Sequence, residues 1–322
     1  MYNYSKSFLE KTAKESGFIR DNLEKVFRLS DILQFLNTYA ITKENLSLKG
    51  GTAINLTVFN LPRLSVDIDL DFSKECSRDE MLKMRTIINE ELLNFMFAQG
   101  YALSPNTKNP HSLDSWVFYF QNAGGNKDNL KIEINYSMRN HILPIIKKSV
   151  NVSFLQITDE WSTVSTLELF GGKIKALIER TAPRDLFDVY NMICNNIIHS
   201  SEHHLLRKII VFYLVIGSKN KLTFPIHLDN INCLTYNQIK SNLVPVLKKN
   251  EHFDFETAQK TVYEYLSELL ICNENEKQFV EKFYQGIYQP ELLFDVQDII
   301  ARIKEHPMAI WKTQKGLTKT YL

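Results

Sequence analysis

The stretch from residue 63 to residue 72 constrains the fold of this chain more than any other part of the sequence. In it, apolar residues alternate with acids, as Val66, Ile68, Leu70 and Phe72 interleave with Asp67, Asp69 and Asp71. A β-strand has a period of two, so this pattern predicts a strand with one apolar face and one face of three carboxylates. Side chains two residues apart on a strand lie about 6.5–7 Å from each other, a spacing at which two carboxylates can share divalent metal ions. A solvated face of an antiparallel sheet is the alternative interpretation.

A pair of glycines precedes this strand. Gly50 and Gly51 lie between a short predicted strand over residues 46–49 and a predicted helix over residues 53–59. Such a turn lets the backbone approach a ligand closely, and the start of a helix offers N–H groups to a phosphate. Thr52 is placed to cap this helix, or to turn its hydroxyl to a phosphate. A plain corner between a strand and a helix is the alternative.

A further carboxylate lies on a predicted hairpin downstream. Residues 116–121 and 130–136 read as two strands, joined by a turn over residues 122–126. Glu133 falls on the polar side of the second strand, next to Lys131. It is a candidate metal ligand or general base, with an ordinary polar strand position as the alternative.

The sequence of the second half of the chain predicts helices almost throughout. Residues 166–181 form a helix that carries Lys173, and Pro183 forces a break after it. The next helix carries Asp185 and Asp188, three residues apart on one face. Taken alone, Lys173 is a solvated helix lysine and the two acids are residues favoured by the dipole at a helix start. That explanation is less complete for Asp188, which lies one turn further in.

These patches, in this order, resemble a known family. Residues 50–53 read Gly-Gly-Thr-Ala and residues 61–70 read Leu-Pro-Arg-Leu-Ser-Val-Asp-Ile-Asp-Leu. They resemble the AbiEii/MenA-type toxins of the polymerase-β-like nucleotidyltransferase superfamily, whose pattern is G-G-T-A followed by L-P-R-x-S-x-D-I-D-L. Residues 173–180 and 184–189 are similar to the family segments K-[LI]-x-A-L-x-x-R and R-D-x-x-D-[LV]. Residues 306–312 are similar to the ending H-P-x-x-x-W-K.

The resemblance implies an α+β fold with two domains. A nucleotidyltransferase catalytic domain with a small mixed sheet is expected over residues 1–160. A mainly α-helical domain over residues 161–322 is expected to close the nucleotide site and contact the acceptor. The implied nucleotide-binding residues are Gly50, Gly51, Thr52, Ser65 and Lys173, the implied metal ligands are Asp67, Asp69 and Glu133, and the implied catalytic residues are these three acids with Lys173 and Asp188. Asp71 has no role in the family pattern.

The implied activity is transfer of a nucleoside monophosphate from an NTP to an acceptor hydroxyl, with two magnesium ions, by a toxin of a toxin–antitoxin or phage-defence system. Characterised members of the family modify the 3′ end of tRNA, so tRNA is the expected acceptor and an antitoxin the expected partner. Two alternatives stay open: a phosphotransferase that acts on a protein or on the chain's own Ser65, and a non-catalytic binding module. On the predicted strand, Ser65 shares the face of Asp67.

Composition excludes few functions. The formal net charge of the 322 residues is +1, which argues neither for nor against nucleic acid. The basic segment over residues 301–322 suits RNA, although a solvated tail is the alternative. No apolar run approaches the length of a membrane span, and the N-terminus lacks the apolar core of a signal peptide. The four cysteines are scattered without a C-x-x-C pair, which argues against a zinc site built on cysteine and predicts a reducing cytoplasm.

Overall fold

The computed structural model describes residues 4–150, 152–155 and 159–318, which form two compact units. The first unit comprises the chain up to Arg139, Ile145–Val164 and Val244–Glu251. The second unit comprises Asn140–Pro144, Ser165–Leu243 and the chain from His252 onward. Each unit therefore takes in a short segment from the other half of the chain. The two functional domains, 1–160 and 161–322, stay a prediction.

Within the described residues, the first unit holds a mixed sheet of seven strands. The strands are β1 (Leu46–Leu48), β2 (Asp67–Phe72), β3 (Ala102–Leu103), β4 (Leu113–Gln121), β5 (Lys127–Asn135), β6 (Ile146–Ser149) and β7 (Glu160–Thr163). Their order across the sheet is β3-β4-β5-β2-β1-β7-β6. The pairs β2–β5 and β1–β7 are parallel and the other neighbours are antiparallel. The sheet confirms the predicted α+β class.

Strand β2 lies in the middle of this sheet, and its two faces differ as the sequence predicts. The apolar residues Ile68, Leu70 and Phe72 are buried, whereas Asp67 and Asp69 are half-buried. The strand is shorter than predicted because it begins at Asp67. Upstream of it, Arg63 forms an isolated antiparallel bridge to Leu247.

Five helices accompany the sheet in the described part of the first unit. They are α1 (Lys6–Ser16), α2 (Arg20–Thr38), α3 (Ala40–Asn45), α4 (Gly50–Ala53) and α5 (Arg78–Ala98). Helix α4 passes directly into a π-helical turn over Ile54–Val58. Helix α5 begins with a capping box, in which the side chains of Ser77 and Glu80 each accept a hydrogen bond from the other's backbone N–H.

The second unit is helical, as predicted. Its helices are α6 (Thr166–Arg180), α7 (Pro183–Cys194), α8 (His203–Gly217), α9 (Tyr236–Asn242), α10 (Phe255–Leu269), α11 (Glu274–Tyr284), α12 (Gln297–Ile303) and α13 (Pro307–Thr318). Helix α6 packs against α7 and α8. The segment of α8 from residue 209 to residue 216 is buried on all sides, which explains its continuous apolar sequence.

One lysine of the basic C-terminal segment makes hydrogen bonds within the second unit. The ammonium group of Lys312 donates to the carbonyl oxygens of Val215 at 2.7 Å and Ser218 at 2.6 Å, where helix α8 ends. Lys312 therefore stabilises a helix end. Lys319, another cation of the same predicted tail, lies outside the described residues. No helix in the described part of the chain is long and apolar enough to span a membrane.

Candidate active site

Charged side chains form a row across strands β1, β2 and β5. Asp69 lies directly opposite Glu133 in the parallel pairing of β2 with β5. On the other side, the backbone N–H of Lys49 donates to the carbonyl oxygen of Asp69 at 3.0 Å, so Lys49 continues the antiparallel register of β1. Asp67 lies two residues before Asp69 and opposite Lys131. Residues directly opposite in a sheet share a face. We call the polar face that carries Asp67, Asp69, Asp71, Glu133, Lys49 and Lys131 the acid face.

Two lysines hold two of the carboxylates of the acid face. The Nζ atom of Lys49 lies 2.6 Å from Oδ1 of Asp71, and that of Lys131 lies 2.9 Å from Oε1 of Glu133. Burial acts against the charge of Lys49, but the carboxylates of Asp71, Asp69 and Glu133 raise the pKa of Lys49 above its usual value. Asp71, which has no role in the family pattern, is thus the anchor of Lys49.

Both positions of the glycine turn need glycine, because neighbouring side chains leave no room for a Cβ atom. Gly50 has a φ of +64°, in the left-handed region, and a Cβ at this position would overlap Oδ2 of Asp69. A Cβ at Gly51 would lie 2.9 Å from Nη2 of Arg63 and 3.2 Å from Oγ of Ser65. Arg63 is 2% exposed, and its Nη1 donates to the carbonyl oxygen of Leu64 at 3.0 Å. The turn is therefore shaped by the acid face and by Arg63.

Thr52 does not cap the helix, so that prediction is wrong. Helix α4 begins two residues earlier than Thr52, at Gly50, and its N-cap residue is Lys49. The buried hydroxyl of Thr52 donates to the carbonyl oxygen of Asp67, and its oxygen lies 3.0 Å from Oγ of Ser65, within hydrogen-bond distance. Thr52 therefore ties helix α4 to the start of β2. Ser65 precedes this strand rather than lying on it.

The second unit holds a separate group of charges, in which Lys173 lies against Asp185 and Asp188. Nζ of Lys173 lies 3.0 Å from Oδ1 of Asp185 and 3.0 Å from Oδ2 of Asp188. The side chain of Lys173 is 7% exposed, so the interpretation as a solvated lysine is wrong. Arg180 donates to Asp185 through Nε at 2.7 Å and Nη2 at 3.0 Å. We call Lys173, Arg180, Asp185 and Asp188 the buried cluster.

The local sequence explains how the buried cluster forms. Helix α6 ends at Arg180 and is capped by Thr181, which adopts the left-handed conformation with a φ of +48°, and Pro183 starts α7. After this break α7 packs against α6, which brings Asp185 and Asp188 onto Lys173. Burial opposes the ionisation of Asp185, but Lys173 and Arg180 lower the pKa of Asp185 to about 2.

The donor atoms of the acid face suit a hard divalent cation. Carboxylate oxygens are the ligands that Mg²⁺ prefers, and the missing side chain of Gly50 leaves room beside Oδ2 of Asp69. As the side chains stand, Glu133 is bound to Lys131. No group of three or more His, Cys, Asp or Glu side chains among the described residues is arranged to hold a metal ion. The set fits magnesium in its chemistry, and the two-metal arrangement of Asp67, Asp69 and Glu133 stays a prediction.

Sequence reasoning missed the function of Lys49 and Asp71 within the acid face. A signal was present, since Lys49 immediately precedes the glycine turn and Asp71 belongs to the alternating strand. Their pairing depends on the register of β1 against β2, in which Ser47 lies opposite Asp71. That register is set by tertiary structure.

Comparison with known proteins agrees with this fold and these motifs. A family model described as nucleotidyl transferase AbiEii toxin, type IV TA system, matches residues 34–255, which include the acid face and the buried cluster. Among solved structures, the chain is similar to MenT4, a nucleotidyltransferase toxin from Mycobacterium tuberculosis H37Rv, with a TM-score of 0.64. That similarity covers 94% of this chain and 99% of the other at 12% sequence identity, so it shows the fold alone. A search of curated proteins found no match. The family match spans well over half of the chain, which therefore belongs to the AbiEii nucleotidyl transferase toxins of type IV toxin–antitoxin systems.

Proposed function

We propose that the chain is a magnesium-dependent nucleotidyltransferase that moves a nucleoside monophosphate from an NTP to a hydroxyl group of an RNA, with the 3′ end of tRNA as acceptor. In this reaction the acceptor oxygen forms a bond to the α-phosphorus, the bond from that phosphorus to the β-phosphate breaks, and pyrophosphate leaves. The observation that carries the proposal is the position of Asp69 opposite Glu133, with Asp67 on the same face. The family adds an antitoxin as expected partner, and we place the reaction in the cytoplasm.

We assign Asp67 and Asp69 to the binding of magnesium, with Glu133 as a third ligand. When bound, the metal neutralises charge on the triphosphate and lowers the pKa of the attacking hydroxyl. Glu133 is also the group that we assign to accept the proton of that hydroxyl. Its present partner is the ammonium group of Lys131, at 2.9 Å from Oε1.

The remaining assignments concern the triphosphate. Gly50 and Gly51 bring the backbone close to it, and Thr52 and Ser65 line the same turn through their hydroxyl–hydroxyl bond of 3.0 Å. Lys173 neutralises triphosphate charge as a point cation, and Asp188 orients Lys173. The distance of 3.0 Å between these two side chains supports the last assignment.

One labelling experiment tests the proposal against its alternatives. The protein is incubated with total tRNA, magnesium and each NTP, labelled at the α- or the γ-phosphate. Label from the α-phosphate on tRNA is the expected result. Label from the γ-phosphate on protein would identify a phosphotransferase instead, and loss of that label in Ser65→Ala would place it on Ser65. No label with any NTP would leave only a binding module.

Two variants test whether the activity depends on the acid face. We expect Asp67→Ala to lower the transfer of α-label by more than about 100-fold, because it removes a metal ligand. Glu90→Gln removes an exposed carboxylate of helix α5 and is the matched control, with transfer unchanged. Equal losses in both variants would show that net charge, and not the acid face, governs the reaction.

A further inference from the structure

The acid face carries more negative than positive charge. Its four carboxylates and two ammonium groups leave a formal charge of −2. Like charges directly opposite or two residues apart repel each other, most strongly between Asp69 and Glu133, which are paired in register. A cation fixed within the protein therefore stabilises this face when no metal is bound.

Lys49 is placed between two rows of the acid face. Its backbone pairs with Asp69, in the row that also contains Glu133. Its ammonium group, however, lies on Asp71, at 2.6 Å. In the row of Asp71 the neighbours are the neutral residues Ser47 on β1 and Asn135 on β5. Asp71 is thus the carboxylate that draws the ammonium group out of the row of Asp69 and Glu133.

The electrostatic environment of Lys49 includes all three acids. The carboxylates of Asp71, Asp69 and Glu133 each raise the pKa of Lys49, although burial acts in the opposite direction. Asp71 is 4% exposed and makes the direct contact, so it holds the ammonium group more tightly than the half-buried Asp69 does. Besides Asp71, the carboxylates whose charge acts on this ammonium group are those of Asp69 and Glu133.

We infer that Lys49 is a built-in counter-cation of the acid face, and that Asp71 sets the metal affinity of the face by holding Lys49 away from the metal ligands. This inference rests on the proposed function, since it takes Asp69 and Glu133 as ligands. An ammonium group and a divalent ion compete for the same carboxylates. Asp71 and Lys49 are therefore positioning residues that act on the metal through Asp69 and Glu133.

The inference predicts opposite effects for the two partners of one ion pair. Lys49→Met removes the competing cation, and we expect it to tighten metal binding about tenfold. Asp71→Asn releases Lys49 toward Asp69 and Glu133, and we expect it to weaken metal binding about tenfold. In the double variant, which carries both Lys49→Met and Asp71→Asn, the second substitution should no longer weaken metal binding, because no ammonium group is left to redirect. If the pair only stabilised the sheet, both single variants would change metal binding in the same direction.

The measurement is the binding of Mn²⁺ alone to the full chain without nucleotide, followed by electron paramagnetic resonance of the free ion. Lys49→Arg keeps the cation and should bind as the wild type does. The matched control is Lys25→Met, because Lys25 forms an equivalent pair with Asp128 at 2.7 Å. Asp128 is four residues before Ile132 on β5, so both side chains lie on the apolar face of the strand. The pair of Lys25 and Asp128 is therefore outside the acid face. Circular dichroism checks that each variant is folded.

The outcomes separate this inference from the proposed function. Affinities that rise in Lys49→Met and fall in Asp71→Asn, with Lys25→Met unchanged, support the inference. A wild type that binds Mn²⁺ while the two variants match it, or change in the same direction, overturns the inference and leaves the proposed metal site intact. A wild type that binds no Mn²⁺ overturns the metal site, and the inference with it.

Discussion

The acid face and the buried cluster are built from the same chemical groups but differ in charge balance and in burial. On the acid face, carboxylates outnumber ammonium groups, and Asp67 and Asp69 are half-buried. In the buried cluster two cations match two carboxylates, and Lys173, Asp185 and Asp188 are each less than a tenth exposed. The acid face gains from a cation supplied by the solution, whereas the buried cluster is already neutral.

This difference has an energetic consequence. A buried ion pair is costly to break, because the remaining charge stays in a medium of low dielectric. A partly exposed group of like charges instead opposes folding, so removing one of them relieves repulsion. Removal of one charge should therefore lower stability in the buried cluster, whereas removal of a carboxylate that faces another carboxylate should raise stability on the acid face. Three measurements test this contrast.

The largest effect is expected at Lys173. Lys173→Met removes the ammonium group that lies 3.0 Å from both Asp185 and Asp188, and we expect the free energy of unfolding to fall by about 3–5 kcal/mol. Adding Asp188→Leu removes one of the buried carboxylates and should recover at least half of that loss. Urea unfolding of the two single variants and the double variant measures the coupling.

The control for this measurement lies on the same helix. Lys175 pairs with Glu179 at 2.6 Å, one turn apart on α6, and Lys175→Met should cost no more than about 0.5 kcal/mol. If Lys173→Met were as mild as Lys175→Met, the buried cluster would not be the stabilising unit that its burial indicates. Additive effects of Lys173→Met and Asp188→Leu would show that the two side chains do not interact.

A second effect, of intermediate size, is a dependence of stability on pH at Asp185. Lys173 and Arg180 overcome the effect of burial and lower the pKa of Asp185 to about 2, below its unfolded value near 4. A carboxylate with a lowered pKa in the folded state contributes stability above its unfolded pKa and loses it as the pH falls through the folded pKa. The advantage of wild type over Asp185→Asn should therefore shrink by about 2 kcal/mol between pH 5 and pH 2. A constant difference over this range would show that Asp185 does not act through its charge.

Local periodicity allowed much of the fold and part of the site to be predicted from the sequence. The alternation in β2 identified Asp67 and Asp69 as neighbours on one face, and the same rule applied to β5 placed Glu133 on the polar side. Helix α6 begins and ends within a residue of its predicted bounds, because the capping residue Ser165 precedes it and Pro183 follows it.

Features that depend on tertiary contacts were not predicted. The pairing of Lys49 with Asp71 requires the register of β1 against β2, and these strands are separated by the glycine turn, α4 and a π-helical turn. The burial of Lys173 requires the packing of α6 on α7, which a helical repeat does not specify. The capping function predicted for Thr52 was wrong because Gly50, in the left-handed conformation, starts the helix earlier than the sequence pattern indicates.

The smallest effect, and the one with the opposite sign, is expected at Asp69. This residue lies directly opposite Glu133, and Asp69→Asn keeps its shape while removing one charge. Without divalent metal, relief of repulsion should raise the free energy of unfolding by about 0.5 kcal/mol. Adding Mn²⁺ should then stabilise the wild type but not the variant, because only the native acid face binds the ion.

Thermal unfolding without Mn²⁺ measures the effect of repulsion, and thermal unfolding with Mn²⁺ measures the stabilisation by the metal. Glu90→Gln is the control for loss of one exposed charge. A variant that is less stable than the wild type in the absence of metal would mean that attraction to Lys49 outweighs repulsion from Glu133, and that the acid face, like the buried cluster, is balanced by its own lysines.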